Sequence, residues 1–246
     1  MFDSAGDKPS VARSLKEEGF VFLRADEMRP LVEQVGSLAD WHSFRESWDT
    51  LALDPYLAET RRQRRRRHAV YSISTTGEIV REPHQTHYQA LEYNALQGGI
   101  ARSFEPVPSA IGEGECMSSL LALARDTFTP LHAAPSRWHV EAHQMRIEAT
   151  DANPGEPTPE GVHRDGVDYV LVLLIARRNI SSGTTTIFTP TKRPLGAFTL
   201  TVPFDAALID DTRVWHGVTA VRPLVATQAA YRDVLVLTLK AVPERT

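Results

Sequence analysis

Apolar positions change their period about halfway along the chain. "SVARSLKEEG" and "ADEMRPLVEQVG" read as amphipathic helices that each close on a glycine, with the short apolar strand "FVFL" between them. "RHAVYSISTTGEIVRE", residues 67–82, reads as a hairpin turning at Thr76-Gly77, and the following "PHQTHYQALEYNALQGGIARSFEPVP" is less regular. From about Glu115 to Phe128 the spacing predicts a longer helix, with Met117, Leu120, Leu121, Ala124 and Phe128 on one core-facing stripe.

The last 110 or so residues read differently: "RWHVEAHQMRIEA", "VDYVLVLLIA", "TTTIFT", "AFTLTV", "AALID", "WHGVTAV" and "YRDVLVLTLKAV" follow one another with turn-rich punctuation. Strands about every ten residues, without helices between them, predict a mainly β (α+β) fold built on a sandwich, jelly roll or barrel. No repeat of fixed period and no linker interrupts the chain. The expected organisation is one domain over 1–246, with 1–60 a helical N-terminal support and 61–246 the jelly-roll core.

Composition narrows the function without naming it. A formal net charge of -4 gives no general attraction to nucleic acid or to an anionic membrane. The run "RRQRRRR", Arg61 to Arg67, is a local exception. It leads straight into a strand, so some of its arginines are expected to line a site and others to face water, and nucleic acid is not expected as a partner. One cysteine, Cys116, excludes an internal disulfide and any multi-thiolate metal site. With neither an apolar leader nor a span-length apolar stretch, a cytoplasmic protein without a membrane partner is expected.

Chemistry concentrates in "GVHRDGVDYVLVLL". His-Arg-Asp also opens a kinase catalytic loop, but that reading needs an Asn five residues after the Asp, and position 170 is Val. On a strand, His163 and Asp165 point to one face and Arg164 to the other, so a metal ion is the better reading. His216, on a later predicted strand, supplies a third ligand. Two histidines and a carboxylate form the facial triad of non-haem Fe(II) oxygenases, with positions left open for co-substrate and O2. If a 2-oxo acid such as 2-oxoglutarate chelates there, its far carboxylate needs a forked cationic partner. Arg232, at the start of the final strand, is preferred over Arg222, which lies beside Pro223.

In this order, His163, Asp165, His216 and Arg232 resemble the Fe(II)/2-oxoglutarate-dependent dioxygenases. More closely, "PEGVHRDGVDYVLVLLIARRNISSGTTTIF", "LIDDTRVWHGVTAV" and "YRDVLV" resemble the bacterial subgroup that includes L-isoleucine 4-hydroxylase, and the likeness covers roughly 60–242. The resemblance implies a double-stranded β-helix, Fe(II) as cofactor, and 2-oxoglutarate and O2 as co-substrates. It also implies hydroxylation of a small molecule, a free aliphatic L-amino acid for this subgroup. Better-known relatives place Ser or Thr two residues after the Arg, but position 234 is Val, so Thr186 or Thr238 is expected to help hold the distal carboxylate.

His139, Glu141 and His143 share one face of "RWHVEAHQMRIEA", but their spacing departs from the His-x-His of cupins and a second metal is not expected. His143 and Arg146 lie on the same predicted strand, where only one parity can face inward. With Asn94 and Arg102 they are the candidate substrate contacts. Two alternatives fit part of the pattern: a cupin-like metal enzyme that does not use 2-oxoglutarate, and a catalytically silent jelly roll.

Overall fold

The computed structural model of the protein describes residues 10–58, 64–94, 96, 98–133 and 135–243. Helix α1 (Val11–Glu18) is opened by Ser10, whose hydroxyl accepts from the Arg13 N–H at 3.3 Å, and is closed by Gly19. Strand β1 (Phe20–Leu23), helices α2 (Ala25–Val35) and α3 (Trp41–Glu46), a 3-10 turn at Ser47–Thr50, strand β2 (Ala52–Leu53) and helix α4 (Pro55–Ala58) follow. A hairpin of β3 (Arg64–Ser74) and β4 (Ile79–Arg81) leads to the short strands β5 (His87–Tyr88), β6 (Ala101–Arg102) and β7 (Glu105–Pro106). Helices α5 (Ser109–Gly112) and α6 (Glu115–Phe128) precede the strand-rich half. That half comprises β8 (Arg137–Ala149), β9 (Tyr169–Arg178), β10 (Ile180–Ser182), β11 (Thr184–Phe188), β12 (Pro194–Thr199), β13 (Ala206–Asp210), β14 (Trp215–Val218), β15 (Val221–Pro223) and β16 (Ala230–Val242).

The main sheet runs β1-β13-β9-β16-β8-β3-β2, with β4 and β7 attached to β3. A second layer, β12-β11-β14 and β10-β15, covers one face of it. Ile187 packs with Val170 and Ile209, and Val221 and Leu200 pack with Leu174 and Val234. Helices α1, α2 and α6 cover the other face, where Leu15, Val32, Leu120 and Phe128 join one core with Trp138, Leu171 and Leu237. Each fully buried Leu or Phe of this kind contributes on the order of 1.5–3 kcal/mol.

The period-2 geometry of a strand sorts residues between these two environments. On β16, Leu235, Leu237 and Leu239 enter the helix-side core, while Arg232, Val234, Val236, Thr238 and Lys240 line a cavity between the sheets. On β8, Trp138, Val140 and Ala142 face the helices, and His139, Glu141, His143, Met145 and Ile147 face the cavity. The inward parity left open by the sequence is therefore the odd one.

Three features refine the sequence reading. β1 pairs with β13 and β2 with β3, so the first sixty residues supply strands of the main sheet as well as helices. His163 and Asp165 do not lie on a regular strand: β9 begins only at Tyr169, and His163 forms an isolated antiparallel bridge with His216. Gly183 stands where the chain leaves β10 for β11, at φ +78°, and a Cβ there would lie 2.9 Å from a Val221 methyl.

The basic run divides as its strand alternates. Arg61, Arg62 and Gln63 lie outside the described residues. Arg64 pairs with Asp54 at 2.9 Å, Arg65 pairs with Glu148 at 2.9 Å, and Arg67 donates to the Thr50 carbonyl at 2.8 Å. Arg66 turns into the cavity, which Arg64 on the same face also borders. Among the described residues no helix is long and apolar enough to cross a membrane.

Candidate active site

The backbones of His163 and His216 are locked together by reciprocal N–H to carbonyl bonds of 2.9 Å each way. That rung brings their rings to 4.5 Å between centroids. Asp165 completes the group: one carboxylate oxygen lies 3.6 Å from His163 Nε2 and the other 3.6 Å from His216 Nε2. His163 Nδ1 lies 3.1 Å from the Gly161 carbonyl, which holds a proton on Nδ1 and turns Nε2 toward Asp165 and toward Glu160 Oε1, 3.2 Å away. Burial works against a charged His163, but the bond to Asp165 wins and pushes its pKa up to about 9. His216 is pushed down to about 4 by burial and by His163. Burial would raise Asp165, yet its histidine neighbours hold it well below the usual carboxylate range. A pair of imidazole nitrogens and a carboxylate held in its ionised form is the donor set that fits Fe(II).

The loop carrying Asp165 is held by a residue that the sequence did not single out. The buried Asp211 carboxylate accepts from the backbone N–H groups of Asp165 at 3.0 Å, Gly166 at 2.8 Å and Val167 at 3.2 Å. Burial and the Asp165 charge push the Asp211 pKa up to about 7, against those three N–H groups. Gly166 has φ +82°, and a Cβ there would meet the Tyr93 ring at 2.5 Å, so only glycine allows that ring to close over the loop. Gln89 donates from Nε2 to the Asp165 carbonyl at 3.2 Å, and its own carbonyl accepts from Asn94 at 3.1 Å and Arg102 at 3.3 Å.

The cavity, about 420 Å³, contains the triad at one place and Arg232 at another. This volume lies within the roughly 300–1,000 Å³ of small-molecule sites. Val170, Val172, Val234, Val236, Ile209 and Leu200 supply apolar lining. Arg232 is 3% exposed, its Nε has no partner, and it makes no ion pair with a described residue. Burial, with Arg177 nearby, pushes its pKa down to about 10. An uncompensated guanidinium is therefore presented to whatever fills the cavity.

A second group surrounds Glu141. Its Oε2 lies 2.5 Å from His87 Nδ1, 3.3 Å from His143 Nε2 and 3.7 Å from His68 Nε2. Burial opposes the ionised form, but the surrounding histidines outweigh it and hold Glu141 far below the usual range. Arg66 donates to His143 Nδ1 at 2.9 Å and lies over the Phe104 ring at 3.9 Å.

The expected site residues divide accordingly. His163, Asp165, His216, Arg232, His143, Asn94 and Arg102 all line the one cavity. Arg146 does not. It lies on the even face of β8, gripping Asp233 through two 2.7 Å bonds and Asp49 at 2.7 Å, and stacks on Tyr231. Thr186 also points away: the inward positions are Thr185 on β11 and Thr238 on β16. Arg222 is exposed on β15. Asp211, Gln89, Arg66, His68 and His87 were not singled out. Only the Asp-Asp pair before His216 hinted at the first, and the rest meet their partners across long sequence separations.

A jelly roll that gathers two histidines and a carboxylate inside one cavity defines the class of non-haem iron oxygenases. A model of the 2OG-Fe dioxygenase family matches residues 45–238. The chain belongs to that family, whose enzymes use Fe(II), 2-oxoglutarate and O2. It is 24% identical to the 3(1)-hydroxy-L-isoleucine 4-dioxygenase of Pantoea ananatis (strain AJ13355), over 96% of this chain and 97% of that one. The crystal structure of a bsmA homolog from Methylobium petroleophilum PM1 superposes with a TM-score of 0.86 at 34% identity, covering 96% of this chain and 94% of that one. IDO from Bacillus thuringiensis shares the fold, with a TM-score of 0.78 at 16% identity over 94% of this chain and 98% of that one.

Proposed function

We propose that this dioxygenase hydroxylates a free aliphatic L-amino acid, holding Fe(II) with His163, Asp165 and His216 and the distal carboxylate of 2-oxoglutarate with Arg232. The observation that carries the reading is one cavity containing both a two-histidine, one-carboxylate ligand set and a buried guanidinium without a carboxylate of its own. Bound iron supplies the activation of O2, coupled to oxidative decarboxylation of 2-oxoglutarate to succinate and CO2 and to insertion of one oxygen into a substrate C–H bond.

The chain's own residues bind and orient. Gly161 fixes the His163 tautomer, Asp211 fixes the Asp165 loop, and Arg232 gives a dicarboxylate its direction in the cavity. Thr185 is the inward hydroxyl left to assist Arg232, since Thr238 lies six residues along β16, opposite Glu141 and about 20 Å from Arg232. The valines of β9 and β16 keep the surroundings apolar, which strengthens each charge interaction made inside. The amino-acid substrate is supported by the Pantoea relative, which aligns over nearly the full length of both chains.

Succinate release across a panel of free amino acids tests substrate and co-substrate together. Anaerobic Fe(II) with 2-oxoglutarate is expected to give a visible charge-transfer band that Asp165→Ala abolishes. Absence of the band under saturating conditions would refute the assignment of the triad.

A further inference from the structure

Arg66 and the Glu141 cluster form a wall of the cavity that the ligand set and Arg232 do not use. His68, His87, Glu141 and His143 bring ligand atoms within 4.8 Å of one another, which by distance alone would suit a second metal ion. The hydrogen bonding argues otherwise. His143 Nδ1 faces the Arg66 guanidinium at 2.9 Å, and a guanidinium has no acceptor. Nδ1 must then accept, so the proton sits on Nε2, pointing at Glu141 3.3 Å away, and His143 is not poised as a ligand through that atom. The local charge also disfavours a cation. Arg64 is neutralised by Asp54, but Arg66 is 4% exposed, has no partner for Nε and makes no ion pair with a described residue. Arg102 lines the same wall. Burial, then Arg64 and Arg102, push the Arg66 pKa well down, as expected for a cation lacking its counter-ion.

We infer that this wall recognises the zwitterionic head of the substrate: Arg66, with Arg102 beside it, receives the α-carboxylate, and Glu141 receives the ammonium. Phe104 stacked on Arg66 and the His143 bond fix the guanidinium before the ligand arrives, so little ordering is left for binding. The histidines around Glu141 keep it ionised while leaving it 15% exposed to the cavity. Substrates are then amino acids with both ends free, and peptides, amides and N-acylated forms are rejected because a buried charge is left unpaired. This inference rests on the proposed amino-acid hydroxylation and sharpens it.

The test uses the Fe(II)-loaded protein, anaerobically with 2-oxoglutarate for binding and aerobically for turnover. The probes are L-isoleucine, L-leucine and L-valine, each with its carboxamide and N-acetyl form, and 4-methylpentanoate. Wild type is expected to bind at least one free amino acid on the order of a hundredfold more tightly than its amide, by calorimetry. Arg66→Met should erase the acid-over-amide preference and Glu141→Gln the preference over 4-methylpentanoate. Both should leave the KM for 2-oxoglutarate and substrate-free succinate formation unchanged.

Equal binding of acid and amide by wild type overturns the inference while leaving amino-acid hydroxylation standing. A raised KM for 2-oxoglutarate in Arg66→Met reassigns the wall to the co-substrate. Uptake of a second metal equivalent that Glu141→Gln abolishes restores the metal reading. Binding and turnover of none of the amino acids, with succinate formation intact, overturns both the inference and the proposed substrate.

Discussion

Replacing Arg232 by Met should move stability and co-substrate affinity in opposite directions. The arginine is 3% exposed and unpaired, and burial with Arg177 nearby brings its pKa from 12.5 down to about 10. At 1.36 kcal/mol per tenfold, that corresponds to roughly 3 kcal/mol of unfavourable charge burial in the ligand-free protein. Methionine fills much of the aliphatic stem's space without the charge. Allowing for lost packing, the ligand-free variant should gain one or two kcal/mol, about 2–8 °C in Tm for a chain of this length.

On the proposed assignment of Arg232, the same change removes the counter-ion of the distal carboxylate. Breaking a buried ion pair costs about 3–5 kcal/mol, so the KM for 2-oxoglutarate should rise by roughly two to four orders of magnitude. Thermal unfolding without ligand and succinate release against 2-oxoglutarate concentration read the two effects separately. A variant that melts lower than wild type and keeps the wild-type KM would refute the reasoning, because Arg232 would then be structural.

Removing the Asp211 carboxylate with Asp211→Ala frees three backbone N–H groups around Asp165, and Fe(II) affinity by anaerobic titration should fall about 10–100-fold. Gly166→Ala combines φ +82° with a 2.5 Å approach to the Tyr93 ring, so it should destabilise by at least about 1–2 kcal/mol in denaturant melts. Adding Tyr93→Leu should recover the steric part and not the backbone part. Burial pushes His87 down to about 4 against the pull of Glu141, from an ordinary value of 6.5. The unfolded chain therefore takes up the proton first as pH falls. This contribution is fully present above about pH 6.5 and is lost towards pH 4, up to about 3 kcal/mol. Metal-free wild type should lose stability across that window more steeply than His87→Asn, and parallel profiles would refute the assignment.

The triad was legible because its chemistry is written locally: His163 and Asp165 are two residues apart, and His216 stands in a short run after a turn. Their backbone was not, because Gly166 at positive φ interrupts the extended conformation that i, i+2 spacing suggests. Arg146 was misread for a reason visible along β8. Its even positions begin as Trp138, Val140 and Ala142 in the helix-side core, then change to Gln144 and Arg146 where that face meets Ser47, Asp49 and Asp233. Polarity there marks the edge of the core and not the cavity. Arg66 was concealed by its neighbours, since one residue in a run of arginines carries no mark of the different partner that alternation gives it. Gln89 and Asp211 act on the Asp165 loop from 76 and 46 residues away, a distance that no local pattern spans.

The alternation along β8 and β16 also constrains how this lineage can change. Each strand carries a binding surface on one side and a hydrophobic core on the other, so a single inserted or deleted residue within 137–149 or 230–242 would exchange the two sides from that point onward. Substitutions have no such effect, and the Pantoea enzyme aligns over nearly the whole chain at only 24% identity. Changes in length should therefore gather in the stretches at 150–162 and 189–193, while these two strands drift in composition at fixed length.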